Sequence, residues 1–368
     1  MNKIRLLIDG HWFDDLYQSP SVFLKGLYDH IALDDDYELF LAAFDTEVAS
    51  KQFKNFNRIN FVKFRSQSKI VRLAYDFNSI IKKNKIDVAH YQYISPIIKT
   101  CKEIITIHDL LYRDFKSYFP LSYRIRNDIL FKRSAKRADL ITSVSNYSID
   151  SIANHFNIPR SKLVLVPNGI SEDFYNYTKS NVIEGNYELK KYILCVSRIE
   201  PRKNHILLLK AYVELKLWQQ DVKLVLIGRE DIPVLDFDNC IIALPSNVKE
   251  HVLNFKNVGF DLLKEFYANA LLVVYPSFAE GFGIPPLEAA ALGAKVLCSK
   301  STAMADFDFF GDDLFDPHNL TEFKEKLSKA IVSNDYSNRS HLSKRIKEKY
   351  NWLSIANDYS NAIKKMFR

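Results

Sequence analysis

The sequence predicts an α/β protein made of two consecutive doubly wound domains, each with a parallel β-sheet. Three observations lead to this fold class. The chain has 368 residues, which is longer than a domain with a single hydrophobic core usually is. Short, almost continuously apolar runs alternate with segments of helical periodicity, which is typical of strands buried on both faces of a parallel sheet. A polar stretch at 180–191 interrupts this pattern, and beyond it the pattern starts again.

Seven apolar runs in the first half predict the strands of the first domain. Segments with helical spacing, such as 20–32 and 69–84, lie between them. The predicted strands are 3–9, 37–44, 59–64, 87–91, 103–108, 140–145 and 162–167.

The second half repeats the arrangement with helical segments at 204–218 and 261–270. Its predicted strands are 192–197, 222–228, 240–244, 271–276 and 295–299. We therefore expect one domain at 1–183 and a second at 184–350. Residues 351–368 predict a terminal helix that packs back toward the first domain. Its apolar stripe consists of Trp352, Ile355, Tyr359 and Ile363.

The composition is that of a globular protein, with 47% hydrophobic and 26% charged residues, and it excludes a disordered or low-complexity chain. The first apolar run is too short for a signal peptide, and no run is long enough to span a bilayer. The four cysteines are scattered without a CxxC pair, which predicts buried free thiols in a reducing cytoplasm rather than a zinc site. We therefore expect a cytoplasmic protein.

The positive charge is concentrated in the first half. Residues 1–180 hold 26 basic against 20 acidic residues, so +6 of the net charge of +7 lies there. It is densest at 123–139, where aromatic and aliphatic residues interleave with Lys and Arg at helical spacing. This segment is either a solvated helix face or a surface that docks on anionic lipid at the inner membrane leaflet or on a phosphate-bearing acceptor. We do not expect nucleic-acid binding, because no binding motif accompanies the charge.

Ligands of such sheets bind beyond the carboxyl ends of the strands, so residues that follow a strand are candidates for function. His108 and Asp109 follow one strand, and a histidine there can exchange hydrogen bonds with a sugar hydroxyl or serve a structural role. Arg198 and Lys203 lie between a strand and a helix. Two cations beside a helix N-terminus can hold a diphosphate, the alternative being ordinary surface charge.

Two glutamates bracket an apolar stretch after another strand. Glu280 shares its loop with Gly281 and Gly283, which let the backbone approach a ligand closely. The prolines at 285–286 suit the first turn of a helix that carries Glu288. The two carboxylates can accept hydrogen bonds from hydroxyl groups at two separate places on one ligand. A nucleotide-sugar has this layout, with sugar hydroxyls at one end, a ribose diol at the other and a diphosphate between them.

These stretches carry a family resemblance. The segments "SFAEGFGIPPLEAAALG" (277–293), "SRIEPRKNH" (197–205) and "TIHDLLY" (106–112) together resemble the motifs of the retaining glycosyltransferases of family 4. The resemblance implies the GT-B fold, with two Rossmann-like domains and a cleft between them. The sequence is similar to bacterial mannosyltransferases of surface-polysaccharide assembly.

The resemblance also implies residue roles. Glu280 would contact the hydroxyls of the transferred sugar, and Glu288 the nucleotide ribose. Arg198 and Lys203 would hold the diphosphate, and His108 would bind the sugar near its C6 hydroxyl. The full set of implied residues is Glu280, His108, Arg198 and Lys203 as catalytic groups, with Glu288, Asp109, Gly281, Phe282 and Gly283 binding substrate. No metal and no cofactor beyond a GDP- or UDP-linked sugar donor is implied.

The implied reaction is transfer of a hexose, with mannose from GDP-mannose as the best candidate, to a glycan or lipid-linked acceptor. The alternatives are a nucleotide-sugar epimerase of the same fold and a non-catalytic sugar-binding homologue. A dinucleotide-dependent oxidoreductase is excluded, because no GxGxxG follows a strand. One departure from the family is the stretch 15–23, which lacks the glycines that usually contact the diphosphate.

Overall fold

A computed structural model describes residues 3–14, 19–180, 182–230, 234–333 and 339–368. Within them the strands form two parallel sheets. The strands of the first sheet are β1 (Ile4–Asp9), β2 (Tyr37–Ala43), β3 (Ile59–Lys63), β4 (Val88–Gln92), β5 (Lys102–Thr106), β6 (Leu140–Ser143) and β7 (Leu163–Leu165). Those of the second are β8 (Tyr192–Val196), β9 (Lys223–Ile227), β10 (Val252–Phe255), β11 (Leu272–Tyr275), β12 (Val296–Ser299) and β13 (Leu314–Phe315).

Helices connect these strands. Up to the second sheet they are α1 (Ser19–Ile31), α2 (Thr46–Ser50), α3 (Lys69–Val71), α4 (Phe77–Lys83), α5 (Leu111–Asp114), α6 (Leu121–Arg137), α7 (Asn146–Phe156), α8 (Glu172–Tyr175) and α9 (Val182–Tyr187). The others are α10 (His205–Glu214), α11 (Leu235–Ile242), α12 (Ser246–Lys249), α13 (Phe260–Asn269), α14 (Ile284–Ala291), α15 (Leu320–Val332), α16 (Arg339–Lys349) and α17 (Trp352–Lys365). A turn of π-helix, Arg72–Asp76, joins α3 to α4.

The predicted fold class is confirmed. The first sheet has the order β3-β2-β1-β4-β5-β6-β7 and the second the order β10-β9-β8-β11-β12-β13. In both sheets the strand order reverses at one point, between β1 and β4 and between β8 and β11. The carboxyl ends of the strands at such a switch point are where doubly wound sheets bind ligands.

The chain divides into two compact units. One contains residues 1–169 together with 350–368, and the other contains 170–349. Residues 170–183 therefore pack with the second unit, whereas the sequence placed the division at 183/184. The buried core of the first unit includes Phe77 and Ile105, and that of the second includes Leu208 and Val274.

One predicted strand is wrong. Residues 240–244 do not extend a sheet, because α11 runs through Ile242. Val234 and Phe237 are buried and Ile241 packs against the same core, so residues three and four positions apart turn one helical face inward. Ile242 is 71% exposed, which a strand covered on both faces does not permit. The sequence pattern also missed β10 and the two-residue β13.

The terminal helix α17 packs against α1 in the first unit. All four residues of its predicted stripe are buried. The indole of Trp352 lies against two glycines: a Cβ atom added to Gly26 would be 2.1 Å from its Cε2, and one added to Gly169 would be 2.5 Å from its Cδ2. Both glycines are therefore needed for the docking of α17.

The stretch 15–23, which lacks glycines, is only partly described. Residues 15–18 lie outside the described part of the chain, and from Ser19 the stretch forms the first turns of α1.

Candidate functional site

Two loops of the second unit leave neighbouring strands at the switch point of their sheet. Arg198 and Lys203 lie in the loop after β8, and Glu280 lies in the loop after β11. β8 pairs directly with β11, through Leu272 opposite Ile193. Residues that are far apart in the sequence are thereby brought to one edge of the sheet.

The loop after β8 is fixed by a buried asparagine. Asn204 adopts the left-handed conformation, with φ 57° and ψ 37°, directly after a 3₁₀ turn at Pro201–Lys203. Its side-chain amide donates to the carbonyls of Pro276 at 3.2 Å and Pro317 at 3.1 Å. Asn204 occupies the N-cap position of α10, but its side chain joins the two loops instead of bonding to the helix.

The loop after β11 is held by hydrogen bonds at both ends. The backbone N–H of Phe278 donates to the carbonyl of Arg202 at 2.8 Å, and that of Glu280 donates to Oγ1 of Thr302 at 2.8 Å. Gly283 has φ 99°, and a Cβ there would lie 2.9 Å from Cγ of Met304. A side chain would therefore be both strained and crowded at this position.

Glu280 is buried between two cations. Its Oε1 lies 2.5 Å from Nζ of Lys203 and its Oε2 lies 3.2 Å from the guanidinium of Arg202. Lys203 also donates to the hydroxyl of Tyr275 at 3.1 Å. Burial opposes ionisation of Glu280, but the charges of Lys203 and Arg202 outweigh it and lower its pKa to about 2. The side chain is therefore a carboxylate at neutral pH.

Arg202 contacts Glu280 as well, although the sequence analysis did not choose it as a candidate. It bridges Glu280 to Glu200, whose Oε2 lies 2.9 Å from its Nε. The other oxygen of Glu200 lies 3.2 Å from Nε of Arg198, so the three predicted residues Arg198, Lys203 and Glu280 belong to one ionic network. Lys203 is 7% exposed, whereas the side chain of Arg198 is 55% exposed. The sequence signal for Arg202 was its position beside Lys203 in the turn after Pro201.

Glu288 lies apart from this network. It projects from α14 and accepts a hydrogen bond of 3.2 Å from the hydroxyl of the fully buried Tyr267. Burial raises the pKa of Glu288 to about 7, and the hydrogen bond from Tyr267 offsets this only in part. The two glutamates thus differ in ionisation: one is held as a carboxylate, and the other titrates near neutrality.

The predicted backbone donors lie between them. Phe282 is buried and its ring meets that of Phe307 edge-on at 5.8 Å, so its side chain is part of the core and only its backbone can serve a ligand. Gly281 is partly buried. The two prolines occupy the first turn of α14, as predicted.

His108 and Asp109 belong to the first unit, where they follow β5. His108 is 6% exposed and its Nε2 lies 2.5 Å from Oε1 of Gln92. Burial lowers its pKa to about 3, so the imidazole is neutral. The carboxylate of Asp109 accepts the backbone N–H of Leu111 at 3.1 Å. Adjacent side chains here point to different partners, as expected for an extended segment.

No group of three or more His, Cys, Asp or Glu side chains in the described ranges could hold a metal ion. The four cysteines are free thiols.

Two family models match the chain. The model of Glycosyltransferase Family 4 matches residues 31–174, and that of the Glycosyl transferases group 1 matches residues 177–349. Among curated proteins, the O-antigen chain mannosyltransferase RfbU of Salmonella typhimurium is 32% identical over 219 residues, which are 59% of this chain and 56% of that protein. The serotype-specific mannosyltransferase WbdA of Escherichia coli is 25% identical over 346 residues, 91% of this chain and 41% of its own. The chain thus spans about half the length of these relatives.

Solved structures show the same fold. Anabaena Alr3699/HepE, crystallised with UDP-glucose, superposes with a TM-score of 0.74 at 16% identity over 99% of this chain and 100% of its own. Each half of the chain matches a glycosyltransferase model, and both sheets have the strand pattern of the GT-B fold. The chain belongs to the family 4 type of glycosyltransferases.

Proposed function

We propose that this protein is a metal-independent, retaining hexosyltransferase that transfers mannose from GDP-mannose to a glycan or lipid-linked acceptor in bacterial surface-polysaccharide assembly. The observation that carries the proposal is the buried Glu280, held as a carboxylate by Lys203 and Arg202 at the switch point of the second sheet. The names of the mannosyltransferase relatives support the choice of sugar.

The site has the charges that this reaction needs. Glu280 accepts from Lys203 on one oxygen and from Arg202 on the other, and in the proposed complex it would also accept a hydrogen bond from a sugar hydroxyl. The ammonium and guanidinium groups beside it would hold the donor diphosphate. As the glycosidic bond breaks, they would stabilise the negative charge that develops on the leaving group. The exposed Arg198 would contribute to the same task.

The two remaining contacts would orient the donor. Glu288, one to two turns along α14, would accept the ribose hydroxyls. His108 is neutral and would hydrogen-bond to a hydroxyl of the transferred sugar. Because the cations supply the electrostatic stabilisation, the reaction would require neither a divalent metal nor another cofactor.

The test is a donor screen read by product analysis. GDP-mannose, UDP-glucose, UDP-galactose and UDP-GlcNAc are each offered with an acceptor glycan, and the anomeric configuration of the product is read by NMR. We expect transfer from GDP-mannose with retention, and stabilisation of the protein by the same nucleotide-sugar in a thermal-shift assay. An inverted anomer would overturn the retaining mechanism. A free epimerised nucleotide-sugar as the only product would favour the epimerase alternative.

The acceptor side of the proposal rests on a surface of the first unit that we call the apolar–basic surface. It consists of exposed apolar side chains on three adjacent segments: Ile70 (78% exposed), Ile97 (61%), Ile98 (60%), Leu121 (62%), Ile125 (54%) and Ile129 (63%). The segments touch: the N–H of Ile97 donates to the carbonyl of Leu73, and Arg133 of α6 donates to the carbonyl of Ile97. Lys69, Arg124, Arg126 and Lys132 lie on the same segments.

This combination of side chains suits an anionic bilayer surface, where each cation contributes about 1 kcal/mol and the isoleucines enter the headgroup region. No helix in the described part of the chain is long and apolar enough to cross a membrane. Not every cation in 123–139 is available. Arg133 and Arg137 donate to the carbonyls of Pro96 and Ile97, so they hold this segment in place.

Liposome flotation tests the membrane contact. We expect salt-sensitive binding to vesicles with anionic lipid, lost in the variant Arg124→Glu, Arg126→Glu, Lys132→Glu. The variant Ile125→Ser, Ile129→Ser keeps the charges and should weaken binding at high salt most. A triple Glu variant of Lys190, Lys191 and Lys210, cations of the second unit, is the matched control and should float as the wild type does. If neither the wild type nor the charge-reversal variant floats at low salt, a glycan acceptor free of lipid would be favoured.

A further inference from the structure

A continuous chain of buried polar side chains leads from α1 and α17 to His108. His108 Nε2 lies 2.5 Å from Oε1 of Gln92, and Nε2 of Gln92 lies 3.2 Å from Nε2 of His90. Nδ1 of His90 lies 2.7 Å from the hydroxyl of Tyr28 and 3.0 Å from that of Tyr359. All five side chains are at most 6% exposed.

The secondary structure explains why these groups meet. His90 and Gln92 are two positions apart on β4 and therefore point to the same face of the sheet. Tyr28 on α1 and Tyr359 on α17 reach His90, and on the other side of the ring Oγ1 of Thr106 lies 2.7 Å from its Nε2. The hydrogen bonds on both ring nitrogens fix the orientation of His90, and His90 in turn fixes the amide of Gln92.

The amide decides which nitrogen of His108 carries the proton. A neutral imidazole has one donor and one acceptor nitrogen. The amide oxygen of Gln92 only accepts, so the nitrogen that faces it, Nε2, must carry the hydrogen. Nδ1 is then unprotonated and can accept a hydrogen bond, and it has no hydrogen-bond partner among the described residues. The rings of Phe23 and Tyr93 contact the imidazole, with ring centroids 5.1 Å and 5.6 Å from its own.

We propose that Gln92 is a positioning residue that locks His108 in the Nε2–H tautomer, so that Nδ1 accepts a hydrogen bond from a hydroxyl of the transferred sugar. This inference rests on the proposed function. It adds a direction to the contact: His108 accepts, and the ligand must donate. A sugar that lacks the hydroxyl, or replaces it with a group that only accepts, cannot make the bond.

The tautomer can be read on the wild-type protein without any turnover. In long-range ¹H–¹⁵N spectra of protein labelled with ¹⁵N-histidine, the His108 signals are assigned by their loss in His108→Gln. We expect the Nε2–H tautomer for His108 over the neutral pH range. Observation of the Nδ1–H tautomer would overturn the proposal. Because this reading needs no activity, a failure of the proposed function would leave it intact.

Variants separate positioning from a merely structural role. Gln92→Met removes the amide at similar volume, and we expect His108 to populate both tautomers and kcat to fall about tenfold, the size of one hydrogen bond. Gln92→Glu restores an acceptor, so it should restore the tautomer. Its carboxylate should also favour the imidazolium, and the acidic limb of the pH–kcat profile should then move to higher pH. Unchanged tautomer and kcat in a folded Gln92→Met would refute the role.

Discussion

Nζ of Lys203 lies 2.5 Å from Oε1 of Glu280, and each of these residues is only 7% exposed. A buried ion pair of this kind contributes little net stability, but removing one partner leaves a buried charge that is strongly unfavourable. The pair therefore fixes the position and the ionisation of the carboxylate rather than the fold as such. Arg202 also contacts this carboxylate, so part of the negative charge of Glu280 remains compensated when Lys203 is removed.

Replacement of Lys203 with alanine should affect both catalysis and stability. We expect kcat/KM to fall by about two orders of magnitude or more, the scale of one lost charge contact in a transition state. We also expect a lower Tm, since Glu280 would keep one cation instead of two. The measurements are steady-state kinetics and thermal unfolding.

Arg198→Ala is the matched control. Its side chain is 55% exposed, so its loss should leave Tm nearly unchanged while kcat/KM falls. Near-normal turnover in Lys203→Ala would contradict the proposal that Lys203 holds the diphosphate.

The two glutamates should respond differently to alanine substitution. Glu280→Ala removes a contact to the sugar whose charge and shape change during the reaction, so the loss should fall mainly on kcat. Glu288→Ala removes a ribose contact present in both ground and transition states, so the donor KM should rise with little change in kcat. Steady-state kinetics at varied donor concentration separates the two. The opposite pattern would mean that the roles are exchanged.

Donor binding should strengthen as the pH rises through about 7, because burial raises the pKa of Glu288 to about 7 and its charged form is the better acceptor for ribose hydroxyls. If only the carboxylate binds, affinity should increase about tenfold between pH 6 and pH 8. Isothermal titration with the intact nucleotide-sugar measures this, since its diphosphate does not titrate in that range. The pH dependence should vanish in Glu288→Gln and persist in Glu280→Gln, because Glu280 has a pKa of about 2. A flat profile for the wild type would contradict the assignment.

Local patterns predicted most of the fold and most of the candidate site. Apolar runs of four to eight residues gave nearly all strands, because a strand covered by helices on both faces must be apolar throughout. The same reasoning failed at 240–244, where the first three of the five apolar positions belong to a helix that begins upstream. Runs this short do not distinguish a strand from the end of a buried helix.

The rest of the site depends on contacts between distant residues. That β8 lies beside β11 is a pairing between residues about 80 positions apart, and no local pattern contains it. Both cations of "PRK", Arg202 and Lys203, contact Glu280 because of the 3₁₀ turn and the left-handed Asn204, which no local pattern predicts. Likewise, no local pattern separates Arg133 and Arg137 from the other cations of α6, because their carbonyl acceptor lies at Pro96, about 40 positions away.

Activity should survive chelation of divalent metals. The proposed electrostatic stabilisation comes from Arg198, Arg202 and Lys203, and no metal-binding group of side chains occurs within the described ranges. We expect the transfer rate to stay within about twofold after EDTA treatment and gel filtration. Complete loss of activity, restored by Mn²⁺ or Mg²⁺, would show that a metal performs the task assigned here to the cations.

Substitution of Gly26 should reveal how tightly the terminal helix docks. A Cβ at this position of α1 would lie 2.1 Å from Cε2 of Trp352, so Gly26→Ala forces the indole or the helix to move. We expect a loss of about 1–3 kcal/mol in the free energy of unfolding, the usual range for overpacking. Gly185→Ala is the matched control, since Gly185 is an exposed position of α9 with nothing within 4 Å of an added Cβ. That change should be neutral or stabilise by up to about 1 kcal/mol through helix propensity. Chemical denaturation measures both, and equal effects of the two alanines would contradict the close packing of Trp352 on α1.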